Sequence, residues 1–187
     1  MILSDVEIIE GIEKGEIYIS PFERKLIRPS SICLRLGREY LTLSSNKTID
    51  ISDVSTYPTY TLASSLENDG IIIPPKKLIL INTLEEISLS RKISAFISNL
   101  SGLARLGLQV VLSDFISAGF GESGASTLTL EVYNFLEVPI KIYPNMRICH
   151  LIFARLYSQS TKSYDSQIGT YSNQKSPSGS KFFIDFE

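Results

Sequence analysis

The chain has 187 residues, 43% of them apolar, which supplies one domain with a sizeable core plus a helix or a tail and excludes wholesale disorder. Its charged residues, 20% of the total, nearly cancel to a net charge of −2 and so offer no sequence-independent grip on a nucleic acid polymer or an anionic membrane. A small phosphorylated ligand stays open, because a few well-placed Arg, Lys and backbone N–H groups suffice to hold one.

Residues 4–14 predict a helix. Ser4 caps its start while Glu7, three residues on, reaches back in a capping box. Ile8, Ile9 and Ile12 supply an apolar stripe, and Gly15 ends the segment. From residue 16 the pattern changes to short runs rich in Ile, Leu, Val, Tyr and Phe. Strands are expected at 78–83, 93–98, 128–134, 140–143 and 148–156, punctuated by Pro74-Pro75, Pro139 and Pro144-Asn145. Between them, Leu100–Leu108 predicts a further short helix capped by Ser101. Many short strands separated by turns imply a mainly β fold, a sandwich or a jelly roll, with a short N-terminal helix and one or two further short helices.

After Tyr157 the composition turns polar, with Ser, Lys, Gln, Gly and Thr dominant as far as 181. The chain therefore divides into a β domain over 1–157 and a C-terminal arm over 158–187. The arm ends in Phe182-Phe183-Ile184-Asp185-Phe186, an apolar terminus suited to docking on the body or on a neighbouring subunit.

Cys33 and Cys149 both lie in apolar runs, with no Cys-x-x-Cys pair, and are expected as buried reduced thiols. His150 is the one histidine. A structural zinc site takes four N or S ligands and a catalytic one about three. No ligand spacing here supplies them, so zinc chemistry is not expected. No run approaches the ~20 apolar residues of a membrane helix. The N-terminus, acidic and without a signal-peptide core, leads to the expectation of a soluble, cytoplasmic protein with no membrane or nucleic acid polymer as partner.

Several segments, in one order along the chain, resemble a known family. They are Met-Ile-Leu-Ser-Asp-Val-Glu-Ile-Ile-Glu at 1–10, Pro-Ser-Ser-Ile-Cys-Leu-Arg-Leu-Gly at 29–37 and Asn-Thr-Leu-Glu-Glu-Ile at 82–87. They continue with Ser-Gly-Leu-Ala-Arg-Leu-Gly-Leu at 101–108, Leu-Glu-Val-Tyr-Asn at 130–134 and Gly-Thr-Tyr-Ser-Asn-Gln-Lys-Ser-Pro at 169–177. Together they resemble the dCTP deaminases of the dCTP deaminase and dUTPase superfamily. The resemblance implies a homotrimer of distorted jelly-roll subunits, active sites at subunit interfaces, an arm closing over the triphosphate, Mg²⁺ bound through that triphosphate, and no zinc. Hydrolytic deamination of dCTP to dUTP and ammonia is the activity it implies.

Deamination needs a water activated for attack at C4 and a group that moves its protons to the ring and the leaving amine, work that a carboxylate can do. Glu131 matches the family's catalytic glutamate, and its neighbours Leu130 and Val132 are expected to set it against an apolar wall. Ser101 and Arg105 match motif residues that orient water, base or phosphate, and a helix would bring them to one face. Gly107, Ser117, Tyr171, Gln174 and Lys181 complete the implied nucleotide-binding set, with Gly107 admitting a close backbone approach.

Departures from the pattern carry information too. Leu100 replaces the motif's first Arg, Gly102 a Ser, Cys33 an Asp, Ser117 an Asp, Thr170 a Lys, and Val111 a His. About four extra residues lie around Gly121–Ser126, where a loop tolerates insertion. Arg35, Arg91, Lys175 or Lys181 are candidates to replace the lost phosphate contacts. Two other activities are compatible with these changes: a dUTP or dCTP diphosphatase using Asp114, and a nucleotide-binding paralogue with altered catalysis.

Overall fold

The computed structural model describes residues 1–65, 69–110, 112–167 and 169–186. Helix α1 (Asp5–Glu13) forms where its capping box places it: Ser4 Oγ accepts from the Glu7 N–H at 3.4 Å, and the Glu7 carboxylate accepts from the Ser4 N–H at 2.9 Å. Ile8 is fully buried and Ile12 packs against the core from the same face.

The strands follow as β1 (Ile17–Ser20), β2 (Ile27–Arg28), β3 (Ser31–Ser44), β4 (Thr59–Ser64), β5 (Ile71–Ile73), β6 (Leu78–Leu89) and β7 (Ile93–Asn99). After the short helix α2 (Ser101–Ala104) come β8 (Leu108–Gln109), β9 (Phe115–Ile116), β10 (Ser126–Asn134), β11 (Ile140–Ile142) and β12 (Arg147–Arg155), and then α3 (Tyr164–Gln167). Among the described residues the main sheet runs β8-β10-β6-β3-β12-β7-β9, with β1 on β6 and with β2 and β4 on β3, while β5 and β11 form a separate ribbon.

Strand β3 makes the fold. Its first part, Ile32 to Arg35, pairs with β12, whereas Leu36 and Tyr40 to Thr42 pair with β6. The register shifts between Leu36 and Tyr40, around Gly37, where an added Cβ would lie 2.3 Å from Asn82 Oδ1. A bulge at a residue without a side chain lets one long strand serve two sheet faces, so the sheet curls over a single core. Leu34, Leu36, Ile81, Leu130, Val132 and Phe153 fill that core, each essentially inaccessible to solvent. One charged pair crosses it. Arg35 Nε donates to Glu85 Oε1 at 2.7 Å, and the Arg35 N–H donates to Glu85 Oε2 at 2.7 Å. The guanidinium also pairs with Glu23.

The predicted strands are all present, and that at 78–83 continues to Leu89 because β1 and β10 pair along its far half. The predicted helix at 100–108 is corrected. It closes after one turn, and Ser101 opens it in place of capping it; Leu100 holds the cap position with no side-chain bond. Gly107, at φ +73°, turns the chain into β8, whose Leu108 pairs with Asn134. Cys33 and Cys149 are buried and unbridged, and burial pushes the Cys149 thiol pKa up.

Candidate functional site

Two clefts carry the residues singled out by the sequence. The first lies over β10. Alternation along this strand turns Leu128, Leu130 and Val132 into the core and Thr129, Glu131 and Tyr133 to the other face. Leu130 and Val132 therefore lie behind Glu131, in the core, and the apolar residues that share its cleft, Leu78, Leu80 and Phe115 among them, come from other strands. The half-buried Glu131 carboxylate is held at Oε2 by the N–H groups of Leu112 and Ser113, each at 3.3 Å. Two amides on one oxygen fix the carboxylate and leave Oε1 without a partner among the described residues.

This cleft encloses about 480 Å³, and Ser117, Thr129, Glu131, Tyr171 and Gln174 line it. Such a volume falls within the range of small-molecule sites, roughly 300–1,000 Å³. The arm forms its roof. Gln174 Nε2 donates to Thr129 Oγ1, and Gln174 O accepts from the Thr127 N–H at 2.8 Å. Tyr171 O–H accepts from the Lys181 N–H at 3.1 Å, and the Lys181 ammonium sits 5.7 Å from the Tyr171 ring centre. Lys181 itself is exposed at the rim, its Nζ donating to Thr170 O at 3.1 Å. Among the described residues, neither Lys nor Arg lines the first cleft.

The second cleft, about 850 Å³, lies where α2 meets β3 and β12. Leu100, Ser101 and Gly102 form one side; Lys25, Arg28, Arg35 and Arg147 supply the charge, His150 lines it as well, and among the described residues neither Asp nor Glu lines it. Cys33 and Leu100, which stand where the resembled family carries Asp and Arg, both line this cleft, so the two lost charges belong to one place. His150 Nδ1 lies 3.1 Å from Ser31 Oγ and 3.8 Å from Cys33 Sγ. Burial, then the positive charges of Arg28 and Arg147, hold its pKa below the ordinary histidine value.

The chain thus brings Ser117, Tyr171 and Gln174 to Glu131, with Lys181 beside Tyr171, and places Ser101 elsewhere. Arg105 is exposed, lines neither cleft, and its side chain has no partner among the described residues. The open side of Gly107 is filled by Leu136, whose Cγ and Cδ2 would lie 2.7 Å from an added Cβ, so packing accounts for this glycine without a ligand. Val111 lies outside the described residues. Asp114 lines neither cleft. Of the candidate phosphate groups, Arg35 is held by Glu85 and Glu23, Arg91 by Glu122 and Lys175 by Glu86. Arg28 and Arg147 were missed by sequence reasoning, since nothing in their flanking residues marks them; the β2–β3 and β3–β12 pairings together bring them to one cleft. Among the described residues, no group of three or more His, Cys, Asp and Glu side chains is placed to hold a metal ion. None of the helices is long and apolar enough to cross a membrane.

The model of a family described as dCTP deaminase-like matches residues 2–156. Over 187 residues the chain is 38% identical to the "dCTP deaminase, dUMP-forming" of a Sulfurihydrogenibium species, covering 99% of both chains. It is 37% identical to the protein of the same name from Persephonella marina, again with 99% of both covered. Among solved structures it is similar to a 2′-deoxycytidine 5′-triphosphate deaminase from Agrobacterium tumefaciens, with a TM-score of 0.61 and 18% identity over 83% of this chain. The match spans 48% of that protein, about half its length. A dUTPase from phage phi11 of S. aureus matches 79% of this chain, and 95% of its own, at a TM-score of 0.50 and 9% identity. The fold is therefore the distorted, dUTPase-like jelly roll.

Proposed function

The chain belongs to the dCTP deaminase-like family, and we propose that it deaminates dCTP by hydrolysis, with Glu131 as the proton carrier, in a site completed by a second protomer. One observation carries this: Glu131 sits clamped by two backbone amides in a nucleoside-sized cleft that the arm roofs with Tyr171 and Gln174. In this proposal the cytosine ring lies on β10. Glu131 takes a proton from the attacking water as the oxygen bonds to C4. The carboxyl passes that proton to ring N3, then carries the remaining proton from the C4 hydroxyl to the amine, which leaves as ammonia while C4 becomes a carbonyl.

The first cleft lacks cations for a triphosphate, and the second cleft holds them beside Ser101. We infer that a nucleotide bridges the Glu131 cleft of one protomer and the Ser101 cleft of its neighbour, with Arg105 approaching from the neighbour as well. A closed ring of three protomers repeats that contact three times and gives three identical sites. Leu106, Leu112 and Phe115, between 55% and 64% exposed, border α2 and the Glu131 clamp, and an interface there removes them from water. The substrate is taken as the Mg²⁺ complex of dCTP, with the ion carried by the triphosphate, drawn from the cytoplasmic nucleotide pool. Residues 1–157 act as the body and 158–187 as the arm.

The relatives at 37% and 38% identity are named for dUMP as product. We therefore extend the proposal to release of pyrophosphate as well as ammonia, giving dUMP where the sequence alone pointed to dUTP. Purified protein given Mg²⁺ and dCTP, with ammonia and pyrophosphate followed together, tests this. Both products in equal amounts support the full proposal, and ammonia alone restores dUTP as product. Pyrophosphate alone replaces the deaminase by a diphosphatase. Silence in both channels, from a folded oligomer that binds dCTP, leaves a nucleotide-binding paralogue.

A further inference from the structure

Asp165 is a carboxylate that the chemistry at Glu131 does not use. It sits half-buried in α3 and gathers four donors. Oδ1 accepts from the Gly121 N–H at 3.2 Å and the Ser172 hydroxyl at 3.1 Å. Oδ2 accepts from the Ser123 N–H at 2.8 Å and the Ser123 hydroxyl at 2.6 Å. Among the described residues it has no ion pair, so neutral donors alone balance its charge. Burial acts to raise its pKa, but the bonds from Ser123, Ser172 and Gly121 outweigh it and hold the carboxyl below the ordinary aspartate value.

These donors come from two places. Gly121 and Ser123 belong to the turn before β10, and Ser172 adjoins Tyr171 in the arm. The contact continues beyond Asp165 as a row. Asn173 Nδ2 donates to Ser123 Oγ at 3.4 Å, the Gln174 N–H to Ser126 Oγ at 3.1 Å, and Lys175 Nζ to Ala125 O at 2.8 Å. Gly124, at φ +156°, leaves room for the arm, since an added Cβ would lie 2.3 Å from Asn173 Oδ1. Turn and arm are fitted to each other along their length.

We propose that Asp165 is a positioning residue that latches the arm onto the 121–126 turn, so that Tyr171 and Gln174 stand over Glu131 before any nucleotide arrives. Only the role of those two side chains rests on the deaminase proposal above; the latch does not. Charge-assisted bonds are the stronger kind, so a neutral amide in the same shape is the informative change. The Asp165→Asn amide turns an N–H group toward donors that already point at it.

The test uses the full-length protein. Amide exchange over 169–175 is measured without nucleotide, and kcat and KM for dCTP are measured alongside, in the wild type, Asp165→Asn and the milder Ser123→Ala. Asp165→Asn is expected to speed exchange over 169–175 by about tenfold or more, the scale of losing a hydrogen bond to a charged group. KM is expected to rise by a similar factor with kcat nearly constant, and Ser123→Ala should move both readouts in the same direction. A residue that only props the fold would lower the unfolding midpoint without splitting KM from kcat. Unchanged exchange in Asp165→Asn overturns the latch. Faster exchange with KM unmoved overturns the claim that the latch positions Tyr171 and Gln174. Faster exchange in a protein whose wild type turns over no dCTP supports the latch and sinks the substrate assignment instead.

Discussion

Among the described residues, the cleft around Glu131 holds the one carboxylate lining either cleft, lies beneath a hydrogen-bonded arm, and lacks Lys and Arg in its lining. The cleft beside Ser101 is the reverse: larger, unroofed by the arm, and lined by Lys25, Arg28, Arg35, Arg147 and His150 without a carboxylate. Each holds what the other lacks. On the proposed reading a nucleoside suits the first and a polyphosphate the second, so one dCTP would need both, and a single protomer keeps them apart. On the same reading, Ser101 with its helix would serve one half of the chemistry and Glu131 with its strand the other.

The sharpest way to break this contrast is at the carboxylate. Glu131→Gln keeps the amide clamp's geometry but cannot carry a proton. Ammonia release is expected to fall by about 10²–10⁴-fold, the usual weight of a general acid–base. Nucleotide affinity, read by calorimetry, should stay nearly constant, and turnover close to wild type would remove Glu131 from the mechanism.

A smaller effect should follow from the floor of the basic cleft. Arg35 is only 13% exposed and Glu85 1%, and burial pushes the Glu85 carboxyl up even though Arg35 bonds to it. Glu85→Ala leaves a buried guanidinium short of its partner, a change that costs roughly 3–5 kcal/mol in comparable sites. Denaturant unfolding measures it, and a loss below about 1 kcal/mol, the level of an exposed pair, would show that solvent reaches Arg35.

The mildest changes probe the cations one at a time. Arg147→Ala is expected to raise KM for dCTP by about tenfold, the loss of a single charge-assisted phosphate contact, with kcat little altered. The same variant relieves His150 of one positive neighbour, so its pKa, followed by NMR, should move up toward the ordinary value. The sign is fixed by linkage. The folded state binds the His150 proton less tightly than the unfolded chain, so stability declines as pH falls through the ordinary histidine range. Arg147→Ala should flatten that decline, and an unmoved His150 would place Arg147 outside its field.

Much of the fold was legible in the sequence because its signals are local. The Ser4–Glu7 box and the alternation of Leu128, Leu130 and Val132 act over a few residues and were found where they were expected. The bend in β3 was not legible, since Gly37 earns its place by meeting Asn82, a contact across 45 positions that no window along the chain contains. For the site, motif matching pointed to Glu131, Tyr171 and Gln174, which the fold assembles in one cleft. It could not separate them from Ser101, because order along the chain does not reveal which cleft a residue faces. Arg28, Arg147 and Asp165 carry no motif and emerge only from strand pairing and from the turn that meets the arm.

The most direct test mixes two inactive proteins. Glu131→Gln and Ser101→Ala protomers, each silent alone, are refolded together in equal amounts and assayed for ammonia. If every site takes Glu131 from one protomer and Ser101 from its neighbour, random assembly makes about a quarter of the sites intact, and activity should return to that fraction of wild type. A mixture that assembles but stays as silent as its parts would mean that both residues serve a site within one protomer, and the division between the two clefts would fail.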